Sequence, residues 1–311
     1  MANRGRQKGG RRQLDGFVLV DKPKGITSFD VIRRLRQILR FRKMGHMGTL
    51  DPNATGLLPI CLGKATRLSR FLLKADKRYR ATIRLGLATD TYDADGRPVG
   101  EQKEPLEIGE GELEKLLSQY RGTFMQRPPL YSAKKVDGKR LYELAREGKH
   151  VEPEPCEVTI HKLNVLEHEH DRLVLDIHGS TGMYVRSLAH DIGGDLGCGA
   201  FLEELQRLAV GALSVEEAHT LEEIEKMEAE GDQSFLQPMD DLLPDFPRIE
   251  VNAFQLERVR NGSPIVIHLP TAESGLRVRL FDPEGRMVAV GEMKKPLGSL
   301  QTQVLPKVVL I

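Results

Sequence analysis

Gly45-His46-Met47-Gly48-Thr49-Leu50-Asp51-Pro52-Asn53-Ala54-Thr55-Gly56 places one carboxylate among three glycines and a proline. Glycine tolerates backbone geometry and close approach that other residues do not. Pro52 disfavours helical geometry at Asp51 and turns it toward an extended conformation. Asp51 is therefore expected on a shaped loop and not on a helix face. An Asp-Pro pair by itself is most often a plain turn. This one follows a strongly basic segment, so its lone acid reads as a nucleophile or base meant for a polyanion.

Upstream of the loop, Phe17-Val18-Leu19-Val20 reads as a short buried strand entering the turn Asp21-Lys22-Pro23-Lys24-Gly25. Thr27 and Asp30 form a possible capping box. Val31, Leu35, Ile38 and Leu39 then share one helical face, with Arg33, Arg34, Arg36 and Arg40 on the remaining surface. A basic helix face is usually just solvated; its position beside the Asp51 loop favours phosphate contact.

Downstream, Tyr79, Ala81, Ile83, Leu85 and Leu87 alternate with Arg80, Thr82 and Arg84, and Leu173, Leu175 and Ile177 alternate likewise. Val158 and Ile160 change parity against Leu163 and Val165, which predicts a bulge near His161 or Lys162. Val185, Leu188, Ile192 and Leu196 predict a helix. Strands and helices mix without a regular βαβ repeat. The expected fold class is α+β: a large, mainly antiparallel mixed sheet flanked by helices, followed by a small β domain. Residues 216–232 are acidic and helix-favouring, and read as an exposed helix or hinge away from any polyanion. From residue 248 short strands follow, with Leu276, Val278 and Leu280 entering the turn Asp282-Pro283-Glu284-Gly285 and a return strand over Arg286–Val290. The expected divisions are a basic disordered tail at 1–13, a catalytic domain at 14–247 and the small β domain at 248–311.

The net charge of +1 hides an asymmetry: residues 1–80 hold 20 Lys and Arg against 5 Asp and Glu, the remainder 26 against 40. Such a basic end points to a nucleic-acid or membrane surface. Cys61, Cys156 and Cys198 are widely spaced, which argues against a zinc site or a disulfide framework and for a reducing compartment. Neither a signal peptide nor a bilayer-length apolar run is read, so a cytoplasmic chain without membrane contact is expected. Gly63-Lys64-Ala65-Thr66 lacks the P-loop spacing, and Thr89–Gly96 lacks that of an EF-hand. His168-Glu169-His170-Asp171 reads as a hairpin tip, and Ser132 and Ser187 lack a nucleophile motif.

Gly45–Leu50 with Asp51-Pro52-Asn53-Ala54-Thr55-Gly56-Leu57-Leu58-Pro59 resembles the catalytic motif of the TruB family of pseudouridine synthases, which isomerise a uridine in the T-loop of tRNA. Lys22–Ser28 resembles that family's first motif, Asp76–Arg80 its tyrosine motif, and Pro128–Ala133 with Tyr142–Arg146 its middle signature. Gly182–Leu188 resembles the segment whose arginine pairs with the catalytic aspartate. The resemblance runs from about residue 14 to 215, and the position of the last segment resembles an appended PUA domain.

The resemblance implies Asp51 as nucleophile, Arg186 as the cation that keeps it ionised, and Tyr79 as the platform for the target base and a candidate for removing its C5 proton. Without it, Tyr79 and Arg186 would read as core and surface ion pair. His46 is expected to fill the gap left by a flipped nucleotide or to meet phosphate, Tyr184 to line the uracil pocket, and Asp93 to make a polar contact. Lys22 joins the substrate-binding set, and Leu205 supplies an apolar contact, although its residues alone read as helix core. Breaking a C–N bond and forming a C–C bond without redox change or net hydrolysis calls for no cofactor and no metal. The partner implied is the T-arm of tRNA, acted on by a monomer with no obligate protein partner. A guide-RNA-dependent dyskerin-like enzyme, a noncatalytic RNA-binding or RNA-folding protein, and an NTP-dependent RNA remodeller stand as alternatives.

Overall fold

Apolar runs too short for helices build the centre of the molecule. The computed structural model describes residues 14–105, 107–131, 135–136, 139–140, 153–267, 273–295 and 301–311. The tail at 1–13, Ser132-Ala133 and Tyr142–Arg146 lie outside these. β1 (Gly16–Lys22) pairs antiparallel with β3 (Thr55–Leu62), which also carries the short β2 (Met44–His46). Between them, α1 (Ser28–Ile38) starts on the expected capping box: Thr27 accepts from the Asp30 amide and Asp30 from that of Thr27. Val31, Ile32 and Leu35 bury its inner face.

β4 (Lys77–Leu85) leads to a small hairpin of β5 (Ala88–Thr89) and β6 (Pro98–Val99). β7 (Gly122–Gln126) is followed by another small hairpin, β8 (Lys135–Val136) and β9 (Lys139–Arg140). β10 (Cys156–Glu169) and β11 (Arg172–Gly179) form the long hairpin, with His170-Asp171 at its tip. Its register slips between Ile160 and Lys162, where the parity change predicted a bulge. β12 (Ala200–Val210) and β13 (Leu213–Ser214) close the sheet. Among the described residues the sheet has nine strands, with the path β1-β3-β12-β4-β11-β10-β7. Only the β3–β12 pairing is parallel, so the sheet is mixed and mainly antiparallel, as expected.

β12 corrects one expectation, since Phe201–Leu208 reads as helix. The i, i+3 spacing of Leu202 and Leu205 is helical, yet a register shift lies between Leu202 and Glu204. The extra residue puts Leu202 opposite Ile83 and Leu205 opposite Ala81, on one face of the sheet. Arg207 follows opposite Tyr79 on that same face.

α2 (Ser69–Leu72), α3 (Glu110–Ser118) and α4 (Val185–Asp195) complete this part of the chain. α3 and α4 cover the Ala81, Ile83, Leu175 and Ile177 face of the sheet. On its opposite face arginines are paired across strands: Arg78 with Asp176, Arg80 with Glu167, and Arg84 with Asp171 and Glu203. The acidic segment forms α5 (Leu221–Glu230) and is not a hinge. Leu221 and Ile224 are buried against the α1 side of the core, and Arg34 meets Glu222 at 2.8 Å and Glu225 at 3.7 Å. Arg33 is held by Asp30. Two arginines expected to face phosphate thus have carboxylate partners within the protein.

The second sheet comprises β14 (Arg248–Glu250), β15 (Ile265–Ile267), β16 (Arg277–Phe281), β17 (Met287–Lys294) and β18 (Thr302–Val309), with α6 (Ala253–Arg260) beside it. Its order is β14-β16-β17-β18-β15, an open, PUA-like half-barrel. The Asp282–Gly285 turn is present, with the Arg286 amide donating to the Asp282 carboxylate. Phe281, Met287, Val290, Val308 and Leu310 pack against Phe17, Leu19, Leu57 and Leu68, so the two sheets share an apolar core. Arg279 adds to the join by donating to the carbonyls of Phe246, Asp240 and Pro244. No described helix is long and apolar enough to cross a membrane.

Candidate active site

The Asp51 loop is held in shape from below. Ser28 Oγ donates to the Leu50 carbonyl at 3.0 Å and accepts from the Leu50 amide at 2.9 Å. The Gly25 amide donates to the Pro52 carbonyl. Lys22 is 0% exposed, and its Nζ donates to the carbonyls of Pro23, Ile26 and Pro52 at 2.8, 2.8 and 3.0 Å. An ammonium has three protons, and all three are taken. Burial pulls its pKa down to about 8, with Asp51 drawing it back up. This corrects the substrate-binding expectation: Lys22 lies under the loop with no donor left for RNA.

Arg207, 1% exposed, is the second buried cation and was not singled out from sequence. It donates from Nε to the Leu57 carbonyl at 2.8 Å, and from Nη1 and Nη2 to those of Thr49 and Gly48 at 3.3 and 3.1 Å. It also hydrogen-bonds Tyr79. Gly56 permits this approach: its φ is +94°, and a Cβ there would lie 2.4 Å from the Arg207 carbonyl oxygen. The available signal was a lone charged residue in the stretch Leu205 to Val210.

Asp51 projects from this platform. Arg186, in the first turn of α4, reaches Asp51 Oδ2 at 3.1 Å and Asp93 Oδ2 at 3.2 Å. Its Nη2 also donates to the Tyr131 carbonyl at 2.9 Å. The Asp51 side chain is 48% exposed while that of Arg186 is 9% exposed, so the carboxylate is presented outward from a buried cation. Arg186 was expected to keep Asp51 ionised, and the ion pair is present. The net direction is nonetheless upward: protein packed around the inner side of the carboxyl raises its pKa above 3.8, with Arg186 opposing and Asp93 reinforcing the shift.

Asp93 is fixed by its own turn, accepting from Thr91 Oγ1 at 2.5 Å and from the Asp95 amide at 3.1 Å. Tyr92 beside it adopts φ +64°, a costly conformation for a non-glycine residue, and its ring stacks on His190 of α4 at 3.9 Å. Tyr79 is partly buried; burial raises its pKa, and Arg207 pulls it back. Tyr184 caps α4, and the buried Gln126 grips its backbone, donating to its carbonyl at 3.1 Å and accepting from its amide at 2.8 Å. Gln126 carries no sequence signal. Leu205 packs between two core clusters, two residues before Arg207. His46 ends β2, paired in register with Ile60. Ser187 is buried with its hydroxyl donating to the Arg127 carbonyl.

Over 95% of its length the chain superposes on a chain of a Cbf5–Nop10–Gar1 complex, with TM-score 0.74, 26% identity and 85% of that chain covered. A chain of an H/ACA RNP bound to a substrate RNA containing 2′-deoxyuridine matches over the same share at TM-score 0.73 and 24% identity, with 85% of that chain covered. The family model described as TruB family pseudouridylate synthase (N terminal domain) matches residues 36–185. That described as tRNA pseudouridylate synthase B C-terminal domain matches residues 186–244. Proteins called tRNA pseudouridine synthase B are 45% identical in Aromatoleum aromaticum, over 91% of this chain and 90% of that one, and 42% identical in Aquifex aeolicus, over 90% and 96%. The fold and these matches define a pseudouridine synthase, an isomerase. Within that class, the chain belongs to the TruB family of pseudouridylate synthases.

Proposed function

We propose that this chain converts uridine to pseudouridine in the T-loop of tRNA, at position 55, with the base flipped out of its stack and Asp51 as nucleophile. The observation that carries the reading is a half-exposed carboxylate on a clamped loop, paired with a buried guanidinium at 3.1 Å. The relatives named tRNA pseudouridine synthase B support the substrate.

The reaction breaks the C1′–N1 bond, turns the uracil and forms a C1′–C5 bond. The C5 proton is lost and N1 gains one, so nothing is oxidised and no group leaves. A positioned carboxylate is what this chemistry asks of the protein. Unstacking the base costs a few kcal/mol, and an aromatic platform at Tyr79 returns roughly 1–3 kcal/mol. Arg186 orients Asp51 and stabilises its charge, while Asp93 holds Arg186 from the other side. His46, Tyr184 and Leu205 complete the base pocket. Residues 14–247 act as the catalytic unit and 248–311 as an RNA-binding unit, in a cytoplasmic monomer without a cofactor.

The test is product mapping on an unmodified tRNA transcript. Pseudouridine at position 55 and nowhere else, without guide RNA, supports the reading. The likeness to a chain of a Cbf5–Nop10–Gar1 complex favours a second one, a guide-dependent enzyme. Turnover that appears only on adding a guide RNA would replace the first reading with the second.

A further inference from the structure

Where the two sheets meet, Arg70, Lys74, Arg277 and Lys307 ring a groove of about 270 Å³, with Glu292 as its one acid and Phe71, Val290 and Gly291 as its floor and walls. Arg70 and Lys74 come from α2 and the turn after it; Arg277 and Lys307 come from β16 and β18. The site exists only because α2 and the second sheet both contribute.

Among the described residues, only Lys307 of these four cations is paired with a carboxylate. The guanidinium carbons of Arg70 and Arg277 each lie 5.3 Å from the centre of the Phe71 ring. The edge of Phe71 is in turn set by Phe246, at 5.6 Å and 81°. A ring fixes a guanidinium without cancelling its charge. Arg70 also donates to the Lys307 carbonyl at 3.2 Å, and Lys307 meets Glu292 at 3.6 Å. Among the described residues, Arg70, Lys74 and Arg277 form no ion pair. On the solvated face of the first sheet, by contrast, Arg78, Arg80 and Arg84 are each paired with a carboxylate.

We infer that this groove binds a backbone phosphate of the RNA substrate, away from the target uridine. The inference rests on the proposed RNA substrate and deepens it. The guanidiniums lie against Phe71, which disfavours that ring as a stacking platform, so the groove reads charge and not sequence. The shared apolar core and the Arg279 carbonyl contacts hold the four cations in fixed relation, which suits a phosphate contact that sets orientation.

The test is tRNA binding and turnover against salt for Lys74→Ala and for Lys74→Ala with Arg277→Ala. Each removed phosphate contact lowers the slope of log K against log salt by about one unit. The double variant should show a slope smaller by about one, KM raised roughly tenfold, and kcat within about twofold of the parent. Lys74→Arg with Arg277→Lys should restore the slope. Lys226→Ala, on the acidic α5, should leave everything unchanged. An unaltered slope and KM in the single and double variants would overturn the inference, even if the parent is fully active. Because binding is read separately from turnover, a parent inactive on tRNA would sink the functional reading and still leave the groove tested.

Discussion

The Asp51 loop and the groove at the sheet junction both collect cations and use them in opposite ways. Beneath the loop, Lys22 and Arg207 are almost completely buried and donate to six backbone carbonyls. In the groove, Arg70, Lys74 and Arg277 are exposed and keep their charge for a partner. Positive charge thus takes two forms in this fold: buried cations that shape backbone, and exposed cations left open to a polyanion. Sequence composition counts both alike.

The comparison breaks most visibly at Arg207. Arg207→Met should cost about 4 kcal/mol of unfolding free energy, because it strands three carbonyls and the Tyr79 hydroxyl in the interior. Turnover should fall about 100-fold or more while the salt slope of RNA binding stays put. Denaturant unfolding and the salt titration check the two halves. Lys22→Met should cost about 3 kcal/mol for the same reason, again with an unchanged salt slope. A smaller slope in either variant would mean that the buried cations reach phosphate, and the distinction would fail.

Arg186 sharpens the comparison because it faces both inward and outward. Burial raises the Asp51 pKa and Arg186 opposes it, so the acid limb of kcat/KM should lie above pH 3.8. Arg186→Gln removes the opposing charge, and the limb should move to higher pH with kcat reduced about 10- to 100-fold. A limb that stays or moves down would show that Arg186 does not govern Asp51 ionisation.

Farther along α4, Asp191 shows burial acting on an acid whose charged neighbour is another acid, Asp195, and its pKa is pushed up to about 6. The folded state thus holds this proton more tightly than the unfolded chain. The stabilisation is complete below about pH 4 and is lost as pH rises to about 6. Asp191→Asn should match the parent near pH 4 and exceed it by about 1–2 kcal/mol above pH 6, as read from unfolding curves.

Local rules were legible and cross-chain ones were not. The Asp51 loop could be read because glycine, aspartate and proline act on their own backbone. The bulge near Lys162 could be read because apolar parity flips within a few residues. β12 was misread because its bulge turns a period of two into a spacing of three, which imitates a helix. Arg186 could be paired with Asp51 by motif, but the direction of the Asp51 shift depends on how many protein atoms surround the carboxyl. Lys22 and Arg207 show the deepest limit. Nothing in a cation's identity says that its partners are carbonyls, here up to 159 residues away in sequence.

The most direct test is tritium release from tRNA carrying [5-³H]uridine, comparing the parent with Asp51→Asn, alongside tRNA binding by both. Asp51 is half exposed and its neighbours are clamped independently, so the variant should fold and bind like the parent. Release should be abolished, by at least about 10³-fold. Release at near-parent rates from Asp51→Asn, with binding intact, would contradict the assignment of Asp51 as the nucleophile.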